Sequence, residues 1–201
     1  MTAIVFDYGG VLMRTGVPTG RREWEARLHL APGELERIVH GSASWIRAQR
    51  GQITATDHWN FVAAQLGIDS AVLPQLRADF FRDDRLDTDL IALIRALRQS
   101  GYRLGLLSND VIDLEGRLRD DLGIYGCFDG VIISAAIGVM KPDPSAYAAV
   151  TRALSVAPED CVFIDDNPAN IQGAKDFGMK TILYVAGMDV NAALAGKGIT
   201  V

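Results

Sequence analysis

Short runs of apolar residues that end in polar residues recur along the chain and predict buried strands. The runs cover residues 2–6, 103–107, 130–133, 161–164 and 180–184. Such continuous apolar runs are typical of parallel strands that are covered on both faces. Helical patterns lie between the later runs, as in residues 87–100, where Asp87 is a predicted N-cap and Gly101 a predicted stop. The alternation predicts an α/β fold with a doubly wound parallel sheet.

From residue 16 to residue 85 the pattern is helical alone. The predicted helices span residues 21–30, 32–39, 44–50, 54–65 and 72–81. A stretch of this length is too long for one crossover connection, so we predict a small all-helical domain inserted after the first strand. The core would then comprise residues 1–15 and 86–201, and the insertion residues 16–85. Because the insertion leaves from the carboxyl end of the first strand, where open α/β sheets bind ligands, a lid is favoured over structural cladding.

Composition narrows the classes of partner. The chain has 201 residues, and its 20 Lys and Arg against 25 Asp and Glu give a net charge of −5. This charge offers no long-range attraction for nucleic acid or an anionic membrane. The start of the sequence has no pattern of a leader or anchor, and Cys127 and Cys161 lack CxxC spacing. We therefore expect a cytoplasmic protein, monomeric or homodimeric, with both cysteines as buried free thiols.

Polar clusters follow the predicted strands and carry the candidate chemistry. In a doubly wound sheet, the carboxyl ends of the strands converge on one edge. Taken singly, each cluster is compatible with a helix cap or a turn, so the prediction of a site rests on their occurring together. The clusters are Asp7, Ser108-Asn109-Asp110, Lys141 and Asp165-Asp166-Asn167.

The residue types in these clusters suit phosphoryl transfer. A carboxylate at Asp7 can attack phosphorus and form a covalent intermediate. Asp165 and Asp166 bring two more acids to the same edge, and three carboxylates together call for a hard cation such as Mg²⁺. Lys141 supplies a positive charge for phosphoryl oxygens, and Ser108 can donate a hydrogen bond to them. The expected partner is a small phosphorylated molecule.

Four motifs in this order resemble those of the haloacid dehalogenase-like hydrolase superfamily over essentially the whole chain. The resemblance implies a Rossmann-like core with a helical cap, and an aspartyl-phosphate intermediate on Asp7. It also implies that Ser108, Asn109 and Lys141 take part in catalysis. The implied Mg²⁺ ligands are Asp7, the backbone carbonyl of Gly9 and Asp165. Asp166 belongs to the same metal site, where it would orient a metal-bound water or Lys141 rather than act as the first ligand. The motifs are residues 4–12 (IVFDYGGVL), 106–109 (LLSN), 138–142 (GVMKP) and 163–167 (FIDDN) with Asn170, Gly173 and Ala174.

Gly9 departs from the superfamily pattern, in which this position carries a second aspartate. That aspartate serves as general acid and base, a contribution of ~10²–10⁴-fold. Its loss would matter least for a leaving group that needs little protonation, such as that of an anomeric sugar phosphate or an acyl phosphate. The D-x-G-x-V motif and residues 51–54 (GQIT) are similar to a bacterial subgroup that includes α-glucose-1-phosphate phosphatases.

The predicted cap offers polar and aromatic side chains that could contact substrate or relay a proton. The alternative is that these side chains form solvated faces or pack inside the cap. We expect the three tryptophans to be packing residues rather than a platform on which a sugar stacks. They are Trp24, Trp45 and Trp59. The candidates for substrate contact are Arg22, Trp45, Arg47 and His58, with Asp57 beside them.

Two other functions remain open. A 2-haloacid dehalogenase would use the same aspartate on carbon, without metal, and would lack the acidic pair at Asp165 and Asp166. A binding or regulatory protein on a hydrolase core would explain Gly9, although Asp7 and Lys141 are both kept. The sequence favours a Mg²⁺-dependent phosphatase over both.

Overall fold

Seven strands lie within residues 2–201, the part of the chain that the computed structural model describes. They are β1 (Ala3–Phe6), β2 (Met13–Thr15), β3 (Asp84–Leu86), β4 (Arg103–Ser108), β5 (Gly130–Ile133), β6 (Cys161–Asp165) and β7 (Lys180–Leu183). Five of them form a parallel sheet in the order β5-β4-β1-β6-β7. The five predicted strands are confirmed, and each end lies within one residue of its predicted position.

Five helices connect β2 to β3, and we call residues 19–80 the helical segment. The helices are α1 (Thr19–Arg27), α2 (Glu34–His40), α3 (Ala43–Gln49), α4 (Ala55–Leu66) and α5 (Leu73–Phe80). Trp24 and Trp59 are buried here in an apolar cluster with Leu35 and Phe80, so both tryptophans are packing residues. The helical pattern is confirmed, while the division of the chain into two domains at residues 15/16 and 85/86 stays a prediction.

The short antiparallel pair of β2 and β3 was not predicted. Met13 pairs with Leu86, and Thr15 pairs with Asp84. This pairing joins the two ends of the chain segment that leaves and re-enters the sheet region. Three-residue strands are too short to show an alternating pattern, which is why the sequence did not indicate them.

The remaining helices cover both faces of the parallel sheet. They are α6 (Thr88–Gln99), α7 (Leu114–Gly116), α8 (Ser134–Ile137), α9 (Pro144–Leu154), α10 (Pro168–Asp176) and α11 (Val190–Ala195). On one face, α6 packs Leu90 and Ile94 into a core that includes Phe6. On the other face, α9 and α10 pack Tyr147 and Ile171 around Phe163 and neighbouring residues. The doubly wound α/β prediction is confirmed.

Two further observations concern the cysteines and the length of the helices. Cys127 and Cys161 are both buried and free, as expected. Among residues 2–201, the helices include none that combines the length and apolar character needed to cross a membrane.

Candidate active site

The carboxyl edge of the parallel sheet gathers the polar side chains that the sequence singled out. Asp7 directly follows β1, Ser108 ends β4, and Asp165 ends β6. Lys141 lies in the connection between α8 and α9. All four residues are buried. The parallel sheet therefore converts positions far apart in sequence into one cluster, as predicted from its topology.

Lys141 bridges two of these carboxylates. Its Nζ lies 2.8 Å from Oδ1 of Asp7 and 2.7 Å from Oδ2 of Asp165. The backbone N–H of Tyr8 also donates to Oδ1 of Asp7 at 2.7 Å. Burial raises the pKa of Asp7 to about 7; the charge of Asp165 acts in the same direction, and Lys141 opposes it. One cation thus holds a buried pair of acids that would otherwise resist ionisation.

Asp165 also accepts hydrogen bonds from two donors in the loop and helix that follow it. The side-chain amide of Asn170 donates to both of its oxygens at 3.1 Å, and the backbone N–H of Asn167 donates to Oδ1 at 2.8 Å. Lys141 bonds to Asp165 and Asp7, and the expectation that Asp166 orients a metal-bound water or Lys141 stays a prediction. Adjacent residues at a strand end point in different directions, and Asp165 is the one that points inward.

Asp166 is exposed and lies against Gly10. A Cβ atom on Gly10 would come within 2.1 Å of Oδ2 of Asp166, and Gly10 has a φ of +79°. Both facts require glycine at this position. Burial and the charge of Asp165 raise the pKa of Asp166.

The three acids are close enough to share one cation. One carboxylate oxygen from each of Asp7, Asp165 and Asp166 lies within 4.8 Å of the others. Hard oxygen donors in this arrangement fit Mg²⁺, which accepts a few carboxylates and retains water molecules. Gly9 lines the same cleft as Asp7, and a Cβ atom on Gly9 would meet nothing within 4 Å. The missing second acid of the first motif therefore leaves open space in the cleft beside Asp7.

Asn109 contacts the backbone of Lys141. Its Nδ2 donates to the carbonyl of Lys141 at 2.9 Å, and the N–H of Lys141 donates to its Oδ1 at 2.8 Å. The amide thus fixes the chain on which the lysine is carried. Ser108, the other predicted residue of this motif, is buried and lines the cleft.

A cleft of about 1640 Å³ extends from Asp7 and Lys141 to the helical segment. Trp45, one of the predicted substrate contacts, lines it. Its neighbours on this wall are aromatic, with ring centroids of His40 and Trp45 5.0 Å apart and those of Trp59 and Phe81 6.0 Å apart. Burial, together with the charge of Arg21, lowers the pKa of His40 to about 4, which keeps the imidazole neutral at pH 7.

The other predicted contacts from the helical segment lie away from this wall. Arg22 is exposed and borders a separate, smaller cavity, and Arg47 is exposed outside the cleft. His58 is fully buried behind Trp45, where its Nδ1 lies 2.9 Å from Oγ of Ser44. These three predictions are corrected because helical spacing does not show which face of a helix borders a cleft. Asp57 belongs to the capping box of α4: Thr54 is the N-cap, and Asp57 accepts a hydrogen bond from the backbone N–H of Thr54.

Several residues of the cleft were missed or undervalued in the sequence. Gln49 is buried and lines the cleft, and no motif marks it. Asp110 also lines the cleft, and burial raises its pKa to about 6. Its place after Ser108 and Asn109 was the available signal. Arg117 lines the cleft as well, and its guanidinium lies 5.7 Å from the ring centroid of Phe81.

The fold and this cluster define a class of enzymes with a Rossmann-like core and an aspartate directly after the first strand. A family model for haloacid dehalogenase-like hydrolases matches residues 1–178, so the chain belongs to that family. It is 28% identical over 195 residues to a phosphatase of Mycobacterium tuberculosis, covering 91% of this chain and 87% of that one. It is 25% identical to drimenol cyclase of Aspergillus calidoustus over 90% of this chain, and spans about a third (34%) of that protein's length.

Solved structures agree in fold. A haloacid dehalogenase family enzyme of Bacteroides thetaiotaomicron, in complex with magnesium and inorganic phosphate, superposes with a TM-score of 0.79 at 20% identity, covering 96% of this chain and 98% of that one. L-2-haloacid dehalogenase of Xanthobacter autotrophicus superposes with a TM-score of 0.66 at 27% identity, covering 97% and 81%. The chain is an enzyme of this hydrolase family.

Proposed function

We propose that the protein is a Mg²⁺-dependent phosphatase that hydrolyses a small phosphorylated metabolite through an aspartyl-phosphate on Asp7. The observation that carries the proposal is the cluster of Asp7, Asp165 and Asp166 with Lys141 bridging the first two. Relatives named as phosphatases support it, among them a sesquiterpene phosphatase of Aspergillus oryzae and a phosphoserine phosphatase of Thermus thermophilus.

Each residue of the site has its own role in the proposed reaction. A carboxylate oxygen of Asp7 attacks phosphorus, the bond to the ester oxygen breaks, and the departing alkoxide takes a proton from water. A water molecule then hydrolyses the aspartyl-phosphate, releasing inorganic phosphate and restoring the carboxylate. Lys141 and Ser108 bind phosphoryl oxygens and stabilise the charge that develops on them. Mg²⁺, held by Asp7, Asp165, Asp166 and the carbonyl of Gly9, would neutralise phosphoryl charge.

Gly9 and the cleft bear on the substrate. With glycine in place of a second aspartate at position 9, a leaving group of low pKa, as in anomeric sugar or acyl phosphates, is the expected preference. The cleft of about 1640 Å³ has room for an organic group, which would lie against Trp45 and the neighbouring aromatic rings. In this proposal residues 16–85 act as the cap over a core of residues 1–15 and 86–201. The cytoplasmic location and the monomeric or dimeric state stay predictions.

A metal-independent 2-haloacid dehalogenase is the second candidate. It is favoured by the similarity to the Xanthobacter dehalogenase. The acidic pair of Asp165 and Asp166 argues against it. Carboxylates beside Asp7 are useful when they bind a cation, and a metal-independent enzyme has no need of them.

The test is a screen of purified enzyme with Mg²⁺ against alkyl, aryl, acyl, sugar 1-phosphate and nucleoside phosphates. We expect phosphate release that EDTA abolishes and that Asp7→Asn lacks. Asp189→Asn is the matched control, because Asp189 is an exposed helix cap that asparagine can replace. Halide release from 2-haloacids in EDTA would establish the dehalogenase instead. Absence of both activities would contradict both proposed reactions.

A further inference from the structure

The end of α3 reaches from the helical segment into the loop that follows β4. Gln49, the last residue of α3, is 9% exposed, and its Nε2 donates to the carbonyl of Asn109 at 2.6 Å. The carbonyl of Gln49 accepts from Oγ of Ser134 at 2.6 Å, and the N–H of Asp110 donates to that same hydroxyl at 3.0 Å. One residue of the helical segment is thus bonded through both its side chain and its backbone.

The turn after Gln49 lies directly on the core. Gly51 has a φ of +65°, and a Cβ atom there would come within 2.3 Å of the carbonyl of Ala135 in α8. No side chain fits in that gap. The contact is therefore a backbone-to-backbone approach, which fixes how closely α3 can dock.

The hydrogen bonds continue from Asn109 to the lysine of the site. Asn109 bonds to both the carbonyl and the N–H of Lys141, whose Nζ lies 2.8 Å from Asp7. Gln49 holds Asn109 from the other side. Because the Asn109 carbonyl receives its hydrogen bond from the helical segment, the loop that carries Lys141 is held in place partly by that segment.

We propose that Gln49 is a positioning residue that makes the placement of Lys141 depend on docking of the helical segment. The inference rests on the proposed function, in which Lys141 binds phosphoryl oxygens. Gln49 itself need not touch the reacting atoms. Its neutral side-chain amide suits the role, since it can donate to a carbonyl without adding charge to a cleft that must admit an anion.

Two substitutions separate the hydrogen bond from charge. Gln49→Met keeps the length of the side chain and removes the donor. Gln49→Glu places a carboxylate against the Asn109 carbonyl at high pH, and restores a donor when that carboxyl is protonated. The matched control is Gln52→Glu, which makes the same change in an exposed side chain of the same turn. Thermal unfolding of each variant checks that it is folded.

The readouts are kcat/KM for a phosphomonoester, and the affinity for inorganic phosphate by calorimetry, each as a ratio to wild type between pH 5 and pH 8. The pKa values of Asp7 and Asp110 lie at about 7 and about 6, so the pH profile of Gln49→Met, which adds no charge, is the reference for that of Gln49→Glu. We expect Gln49→Met to lower both quantities about three- to tenfold at every pH, the effect of losing one neutral hydrogen bond. Gln49→Glu should be at least as impaired at pH 8 and recover towards wild type at pH 5.

Each result decides the matter. A Gln49→Met variant equal to wild type would overturn the proposal, and any defect of Gln49→Glu would then be repulsion of the anion. Equal defects in Gln52→Glu would overturn it as well. If wild type binds phosphate but hydrolyses no ester, the proposed function fails, and the phosphate affinities still test the role of Gln49.

Discussion

The Nζ atom of Lys141 lies 2.8 Å from Oδ1 of Asp7, so the cation contacts the group that would attack phosphorus. Burial raises the pKa of Asp7 to about 7, and the Lys141 charge limits this rise. In the proposed reaction Lys141 therefore has two tasks. It favours the ionised nucleophile, and it binds oxygens of the phosphoryl group whose phosphorus atom Asp7 attacks.

Replacing Lys141 by methionine should remove both effects. We expect Lys141→Met to lower kcat/KM by about 10²-fold or more at pH 7, comparable to the loss of one preorganised electrostatic donor. Initial rates with an aryl phosphate measure this. Lys175→Met, at an exposed position of α10, is the control and should retain wild-type rates. A Lys141→Met enzyme within threefold of wild type would remove the assigned role.

Gly9→Asp should add an acid at the position where the family pattern has its second aspartate. A Cβ atom on Gly9 would meet no other atom within 4 Å, so an aspartate side chain can be accommodated there. We expect activity on alkyl phosphates to rise by ~10²-fold, and activity on acyl phosphates to change little, because general acid catalysis helps poor leaving groups most. The check is a comparison of kcat/KM over leaving groups of graded pKa. An equal change for all substrates would contradict the leaving-group explanation of Gly9.

Gly10→Ala should disturb the acidic cluster. The added methyl group would lie 2.1 Å from Oδ2 of Asp166, in a backbone conformation that favours glycine. A ligand that binds the folded state raises the melting temperature, so Mg²⁺ should stabilise wild type and stabilise this variant much less. Thermal unfolding with and without Mg²⁺ measures the difference. Gly101→Ala is the control: its φ is +87° and its Cβ meets nothing within 4 Å, so it should lose stability but keep the full Mg²⁺ effect.

Acid should destabilise the helical segment through its buried histidines. Burial lowers the pKa of His58 to about 4, and that of His40 shifts in the same direction. Between pH 4 and pH 6.5 these two imidazoles bind more protons in the unfolded chain than in the folded one. Their contribution to the free energy of unfolding is therefore fully present above pH 6.5 and is lost as the pH drops towards 4. Asp7 and Asp110, whose pKa values burial raises, act in the opposite sense and are the same in every variant. His58 alone accounts for roughly 3 kcal/mol, at about 1.4 kcal/mol per pKa unit.

Urea unfolding at a series of pH values tests this expectation. His58→Gln should flatten the dependence of the free energy of unfolding on pH below 6.5. His29→Asn, at an exposed position with a left-handed backbone that asparagine tolerates, should leave the dependence unchanged. An unchanged slope in His58→Gln would show that the imidazole is not held neutral.

Much of the core could be predicted from local pattern. The apolar runs before Asp7 and Asp165 predict strands, and the rule that parallel strands end at one edge predicts that these acids lie together with Lys141. The strand pair of β2 and β3 escaped notice because three residues carry no periodic signal. His58 was misjudged because a helical pattern does not show which neighbour a buried face meets.

Sequence by itself determined the order of strands and helices, the burial of the sheet and the family of the chain, since these follow from residue types and spacings within short stretches. Tertiary structure alone decided that Lys141 bonds to Asp165, while Asp166 lies against Gly10. It also decided that Gln49 meets Asn109, 60 residues away. Contacts of this kind depend on how separately folded stretches dock, and docking is set by the combined shape of many side chains, which no local pattern records.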